Sequence, residues 1–176
     1  MSITPMQPPP GGPVEQPRGN NTTLIVIIIA AVLLGGCCVI AMVAAIAIPN
    51  LIEARKGSNE AAAIGALRTL TTAQALYREG DKDKNQVLDY ARDLEDLSHV
   101  GLIDGILGMG TKQGYLFRIE SADDFRWSAS ATPQAPGKSG DRSFFVDESG
   151  VIRAREATRG TATVQDPPLG SSTRRP

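Results

Sequence analysis

Histidine and cysteine are nearly absent from this chain of 176 residues. It has one histidine, His99, and two cysteines, the adjacent Cys37 and Cys38. A zinc site, or a nucleophile activated by histidine, needs several such residues brought together, so neither is expected. No glycine-rich phosphate loop with a lysine is present either. The sequence therefore predicts that the protein is not an enzyme, and that no disulfide forms outside the stretch that holds the cysteines.

The chain also lacks an excess of charge of either sign. Its formal net charge is -1 and its pI is near 5.8. A nucleic-acid-binding surface is normally a basic stripe, often with interleaved aromatic residues, and the sequence contains none. We expect no nucleic-acid partner.

Charged and strongly polar side chains are missing altogether from Leu24–Ile48, a run of 25 residues. As a helix this run would be about 37 Å long, whereas the hydrocarbon core of a bilayer is about 30 Å thick. The sequence therefore predicts a transmembrane helix over residues 24–48, in contact with membrane lipid. The alternative is a helix buried in a soluble domain, which would need a larger domain around it than this chain readily supplies.

Residues 1–23 precede this run and are rich in proline and glycine. They show no apolar periodicity, and proline interrupts helices, so they predict a disordered or polyproline-like tail. Docking of this tail to a proline-recognising domain is the alternative interpretation.

Two glycines and two cysteines lie within the apolar run. The sequence Leu34-Gly35-Gly36-Cys37 resembles the short box that precedes the lipidated cysteine of bacterial lipoproteins, so lipidation of Cys37 is one interpretation. The other is packing, because glycines allow close approach of helices and cysteine behaves as a small apolar residue. The apolar residues that follow, Val39–Ile48, favour packing, since lipoproteins normally continue into a polar tether.

An amphipathic stem helix is predicted over residues 49–80. Apolar residues recur there at steps of three and four, which places them on one side of a helix: Ile64, Leu67, Leu70, Ala73, Leu76 and Tyr77. Pro49 predicts a kink at the start of the stem, and Gly80 predicts its end. We expect the apolar side of the stem to pack on a small domain.

Oxygen-bearing side chains follow the stem at nearly alternate positions: Asp81, Asp83, Asn85 and Asp89. They resemble the first half of a calcium-binding loop, because calcium takes carboxylate and amide oxygens in flexible geometry. The EF-hand pattern is incomplete, since Gln86 replaces its glycine and Arg92 its bidentate glutamate. The incomplete pattern favours a solvated turn, and calcium is the one cofactor considered as the alternative.

From Lys112 onward the periodicity changes to two, which is typical of β-strands. Four short strands are predicted, at residues 114–120, 125–131, 143–146 and 151–155. The turn residues 147–150 predict a hairpin, and Trp127 is expected in the core. The predicted fold class is α+β: a long N-terminal helix (membrane span plus amphipathic stem) packed on a small antiparallel β-sheet.

The predicted organisation has five segments. They are a disordered tail at residues 1–23, a transmembrane helix at 24–48, a stem helix at 49–80, an α/β loop with an antiparallel sheet at 81–170, and a disordered end at 171–176.

Residues 44–55, AAIAIPNLIEAR, and 59–70, NEAAAIGALRTL, resemble the N-terminal helix of bacterial type IV pilins and type II secretion pseudopilins. The resemblance implies a pilin-like fold, with a long helix half in the membrane and half packed on an antiparallel sheet. It continues at Gly114-Tyr115 and at Asp166-Pro167-Pro168-Leu169. The family's cleavage site, glycine and phenylalanine before Thr-Leu-Ile-Glu, is replaced by Thr23-Leu24-Ile25-Val26, so the prepilin peptidase site is absent.

The resemblance implies a structural protein of a type IV pilus or of a filament for protein secretion, with like subunits or other pilin-like proteins as partners through the apolar helix. The alternative is an uncleaved single-pass protein that uses a pilin-like domain as a periplasmic binding or scaffold module. Arg55 and Lys56 slightly favour a cytoplasmic C-terminal part. The family instead implies the bacterial inner membrane, with the C-terminal domain periplasmic or extracellular, and we adopt that expectation.

Overall fold

The computed structural model describes residues 11 and 21–171, without the side chains of residues 34–41, 43 and 44. Most of the predicted tail, most of the predicted disordered end and the side chain of Cys37 therefore lie outside the described residues. The helices are α1 (Asn21–Glu79), α2 (Leu94–His99), α3 (Gly105–Gly108) and a 3-10 helix (Ala157–Arg159). The strands are β1 (Thr111–Lys112), β2 (Tyr115–Ala122), β3 (Trp127–Pro133), β4 (Arg142–Asp147) and β5 (Arg153–Glu156).

The chain divides into two compact units, Met1–Ile46 and Ala47–Pro176. In the first unit the residues from Asn21 on are helical, and the side chains described there are exposed. The second unit contains the rest of α1, all the strands named above and a hydrophobic core.

The predicted transmembrane helix is corrected by the structure. A membrane-spanning helix needs about 20 consecutive, mainly apolar residues. Within the part of the chain that the structure describes, no helix meets the combined requirement of length and apolar character. The prediction for residues 24–48, and with it the membrane-spanning part of the predicted fold class, is therefore contradicted.

The stem part of α1 packs on the sheet with one face, as its periodicity indicates. Its buried apolar residues share one core with residues of the sheet and of α2 and α3: Ala63, Ala66, Leu67, Leu70, Ala73 and Tyr77. Ile64 is half-buried beside this core, whereas Leu76 is 46% exposed. The helix α1 continues through Pro49 without interruption and ends one residue before Gly80.

The sheet is antiparallel, with its strands in the order β1-β2-β3-β4-β5, so each strand pairs with its neighbour in sequence. It has five strands among the described residues, because the short β1 joins the four predicted ones. Six residues that alternate along their strands enter the core: Tyr115, Phe117, Ala129, Ala131, Phe144 and Val146. Trp127 is buried there as predicted, and the chain has an α+β architecture.

The strand boundaries shift because of local turn chemistry. Asp123 accepts hydrogen bonds from the backbone N–H groups of Phe125 and Arg126, at 2.7 Å each, and so closes the β2–β3 turn. β2 therefore extends to Ala122, and β3 begins only at Trp127. The predicted hairpin turn at 147–150 is present, with Gly150 at a φ of 72°.

A C-terminal strap, residues 160–171, covers the outer edge of β5. Leu169 donates its backbone N–H to the Ile152 carbonyl, and Ala154 donates to the Pro167 carbonyl, at 2.7 and 3.2 Å. Arg155 pairs with Asp166 at 2.9 Å. The strap thus satisfies the backbone N–H of Ala154 in β5 and the carbonyl of Ile152 just before it.

Candidate functional site

The four residues of the predicted calcium loop lie between α1 and α2, and their oxygens are engaged locally. The Asp81 carboxylate accepts a hydrogen bond from the Gln86 N–H at 3.2 Å. Asp83 accepts from the Asn85 side-chain amide at 2.7 Å, and Asn85 accepts from the Val87 N–H at 2.6 Å. These bonds hold a loop in which Asp81 and Gln86 adopt positive φ.

Three of the four residues line one pocket of about 300 Å³: Asp83, Asn85 and Asp89. Asp81 does not line it. One carboxylate oxygen of Asp89 is buried without a hydrogen-bond partner. Among the described residues, no group of three or more histidine, cysteine, aspartate or glutamate side chains is arranged to hold a metal ion. Calcium binding therefore stays a prediction.

His99 lies at the exposed C-terminal end of α2. Its Nε2 atom is 3.3 Å from a Glu95 carboxylate oxygen one helical turn away. His99 is therefore a surface residue.

A partly buried ionic cluster links α1 to the start of β4, and the sequence did not predict it. We define the Glu60 cluster as Lys56, Glu60, Asp141 and Arg142. The Glu60 side chain is buried, and its two oxygens accept four hydrogen bonds, from the backbone N–H groups of Asp141 and Arg142 and from Arg142 Nε and Nη2, at 2.7 to 3.1 Å. Lys56 Nζ contacts the Asp141 carboxylate at 2.9 Å.

The electrostatics of the Glu60 cluster are complementary. Hydrogen bonds from Lys56, first to Asp141 and then to Glu53, raise the pKa of Lys56 above its ordinary value. Because Glu60 already accepts four charge-assisted or backbone bonds, it is arranged to hold the β3–β4 connection on α1 rather than to transfer a proton. An open pocket of about 560 Å³ adjoins the cluster.

Tyr115 reinforces the same connection from within the core. Its hydroxyl donates to the Arg142 carbonyl at 2.8 Å. Burial raises the pKa of Tyr115 far above its ordinary value, so the hydroxyl stays protonated and remains a donor. Gly140 leaves room for this ring, because a Cβ atom at Gly140 would lie 2.0 Å from the Tyr115 hydroxyl oxygen.

The Glu60 cluster has a partial signal in the sequence. Lys56 and Glu60 are four residues apart and therefore share one helix face. Their partners lie more than 80 residues later: Asp141 ends the β3–β4 connection, and Arg142 begins β4. Helical spacing alone cannot identify partners at such a separation.

A continuous exposed apolar surface belongs to the first part of α1. We define the apolar segment as residues 24–33. Its large side chains are between 53% and 68% exposed: Leu24, Ile25, Val26, Ile27, Ile28, Ile29, Val32 and Leu33. Successive helical residues point about 100° apart, so this run is apolar on every side of the helix. Such a surface is typical of an association site.

No family model matches the chain, and no curated protein gives a significant match.

Proposed function

We propose that this protein is a pilin-like subunit of a filament, a structural protein of the type IV pilus or type II secretion class. In this proposal the apolar segment of α1 associates with the same segment of neighbouring subunits. The domain at residues 47–176 then contributes surface for neighbours or cargo.

The observation that carries the proposal is the exposure of the apolar segment. Ile27, for example, is 62% exposed, and its neighbours on all sides of the helix are apolar and exposed as well. Burial of one such side chain contributes about 1.5–3 kcal/mol, so eight of them give a strong driving force for association. A two-stranded coiled coil would cover only one stripe of this helix, whereas a bundle of several helices covers every side.

The organisation of the second unit also supports the proposal. One face of the stem lies on an antiparallel sheet of sequential strands, as the resemblance to pilins implies. The Glu60 cluster holds the stem on that sheet through ion pairs and charge-assisted hydrogen bonds. Its role is therefore structural rather than catalytic.

Assembly of the full-length chain tests the proposal. A charge at the centre of the apolar segment would remain unpaired in a helical bundle, which is costly. We therefore expect Ile28→Asp to abolish large assemblies, measured by sedimentation after dilution from mild detergent and by electron microscopy. Met109→Asp is the matched control, because Met109 is 75% exposed but lies in the second unit.

A chain that stays monomeric at every concentration would contradict the filament proposal. It would favour the alternative of an anchored binding or scaffold module with an intact N-terminus. Sequencing the N-terminus of the mature protein separates the two further: a new terminus between Gly19 and Leu24 indicates a processed pilin, and an intact Met1 or Ser2 does not.

The location at the bacterial inner membrane, with the domain periplasmic or extracellular, also stays a prediction. A reporter that is active only in the periplasm, fused after Pro176, tests it. Activity of a cytoplasmic reporter alone would contradict it.

A further inference from the structure

The upper stem, which we define as residues 47–61 of α1, is buried only at polar side chains. Apart from Lys56, Asn59 and Glu60, every residue of the upper stem is exposed. The first fully buried apolar residue of the stem is Ala63, which lies in the next turn. The hydrophobic core therefore holds the stem only from Ala63 onward.

The three polar side chains of the upper stem all bind one short segment, residues 139–142. The Asn59 side-chain amide donates to the Ser139 carbonyl at 3.0 Å and so adds to the bonds of the Glu60 cluster. Together they make six hydrogen bonds to this segment, and five of the six end on a carboxylate. We call these six bonds the polar latch.

The part of α1 beneath the polar latch is made of weak helix formers. Gly57, Ser58 and Asn59 follow one another there, and all three rank below alanine and leucine in helix propensity. Packing does not require the glycine, since nothing lies within 4 Å of a Cβ atom at Gly57. The polar latch, rather than propensity or apolar packing, therefore holds this part of the helix in place.

The segment that receives the upper stem is held by bonds of its own. The Ser139 N–H donates to the Ala135 carbonyl at 2.8 Å, and the Ser139 hydroxyl accepts from the Ala135 N–H at 3.0 Å. Arg142 pairs with Glu156 in the sheet. These bonds do not involve α1, so the segment keeps its position when the stem parts from it, and the polar latch can form again.

We propose that α1 has a joint at residues 57–59, which the polar latch closes and which opens while the core stays folded. Opening exposes little apolar surface, and water can replace the lost hydrogen bonds. The side chains of Asp141 and Arg142 are 53% and 44% exposed, so dissolved ions screen their charges. Rising ionic strength therefore shifts the joint toward its open state. The joint lies within one subunit, so it goes beyond the proposed filament function and does not depend on it.

Hydrogen exchange of the full-length protein in mild detergent, followed for individual amides, tests the joint. The N–H groups of Asp141 and Arg142 report on the polar latch directly, because both donate to Glu60. We expect them to exchange together with the amides of residues 57–61, at least about tenfold faster than the amides of residues 66–77. About 0.5 M salt should accelerate the first group and leave residues 66–77 unchanged.

Substitutions within α1 separate the joint from the core. Glu60→Ala removes four of the six bonds and should accelerate exchange at residues 57–61 about tenfold further. Glu79→Ala is the matched control and should change nothing, since Glu79 is exposed in the last turn of the same helix. Lys56→Met removes a single bond of the polar latch. It gives a smaller acceleration and serves as the test if Glu60→Ala does not fold.

Several outcomes overturn the joint. One is exchange at residues 57–61 that is no faster than at residues 66–77, because the stem then opens as one unit with the core. An equal acceleration of both groups by Glu60→Ala is another, and so is no acceleration in either group. Gly57→Ala should slow exchange at residues 57–61, because alanine strengthens a helix. Each of these failures leaves the filament proposal standing, since Ile28→Asp tests assembly separately.

Discussion

The packing around Tyr115 depends on the absence of a Cβ atom at Gly140. Gly140 is expected to tolerate no side chain, because a Cβ atom there would lie 2.0 Å from the Tyr115 hydroxyl oxygen and 2.8 Å from its ring. We predict that Gly140→Ala lowers the free energy of unfolding by about 1–3 kcal/mol, as overpacking of a core does. Urea unfolding of the full-length protein in mild detergent measures this.

Gly65→Ala is the control for this substitution. Nothing lies within 4 Å of a Cβ atom at Gly65, and alanine is the better helix former. We expect its stability to be unchanged or higher. Equal losses for the two variants would contradict the role of the Tyr115 contact.

The carboxylate of Asp123 makes the β2–β3 turn sensitive to pH. Hydrogen bonds from the backbone N–H groups of Phe125 and Arg126 hold the pKa of Asp123 below its ordinary value of 3.8. A pKa that is lower in the folded state stabilises the fold above the ordinary value, and this stability is lost as pH falls through the folded value. We therefore predict that the turn weakens on acidification below about pH 4.

Melting temperatures of the full-length protein and of Asp123→Asn across pH measure this effect. Asparagine can accept the same hydrogen bonds but cannot titrate. The wild-type protein should melt higher above about pH 5, and the difference should shrink toward about pH 2. A difference that is constant over that range would contradict the assignment.

At the scale of elements, Gln74 joins α1 to the loop before α2. The side chain is fully buried, and its amide both donates to the Ala91 carbonyl and accepts from the Ala91 N–H, at 2.9 Å each. Gln74→Leu would leave both backbone groups without partners. We predict a loss of about 2 kcal/mol or more, measured by urea unfolding. Gln134→Leu, at an exposed position, should change stability by less than about 0.5 kcal/mol.

The loop between α1 and α2 carries the calcium prediction. If Asp83, Asn85 and Asp89 bind calcium, excess calcium should raise the melting temperature of the full-length protein relative to chelator, because a ligand that binds only the folded state stabilises it. Asp83→Asn with Asp89→Asn should remove that increase. No shift for the wild-type protein would contradict calcium binding and favour the solvated turn.

The helices and strands show which structural features the sequence periodicity predicts. Helical periodicity correctly placed Leu67, Leu70, Ala73 and Tyr77 in the core, because an amphipathic helix has only one face to bury. It also placed Leu76 there, and Leu76 is 46% exposed, since it lies at the margin of that face. The two-residue strand β1 was missed because so short a segment has no period of its own.

At the scale of the whole molecule, sequence patterns do not predict which residues hold separate elements together. Glu60 and Arg142 are 82 residues apart, and Gln74 meets Ala91 through a loop whose path depends on the folded core. The length and apolar composition of residues 24–48 predict a membrane span, and the described helices contradict that prediction. By contrast, the alternation of apolar residues and the turn residues between them predicted the longer strands, because both are features of the local sequence.

The strap on β5 has a consequence for how copies of this protein can polymerise. Pro167 and Pro168 lie along that margin of the sheet, and proline has no N–H to offer an incoming strand. A second chain therefore cannot continue the ladder past β5, and amyloid-like stacking is blocked on this side. In the proposed filament, subunits therefore add without strand pairing at β5, and such contacts can separate again without unfolding a subunit.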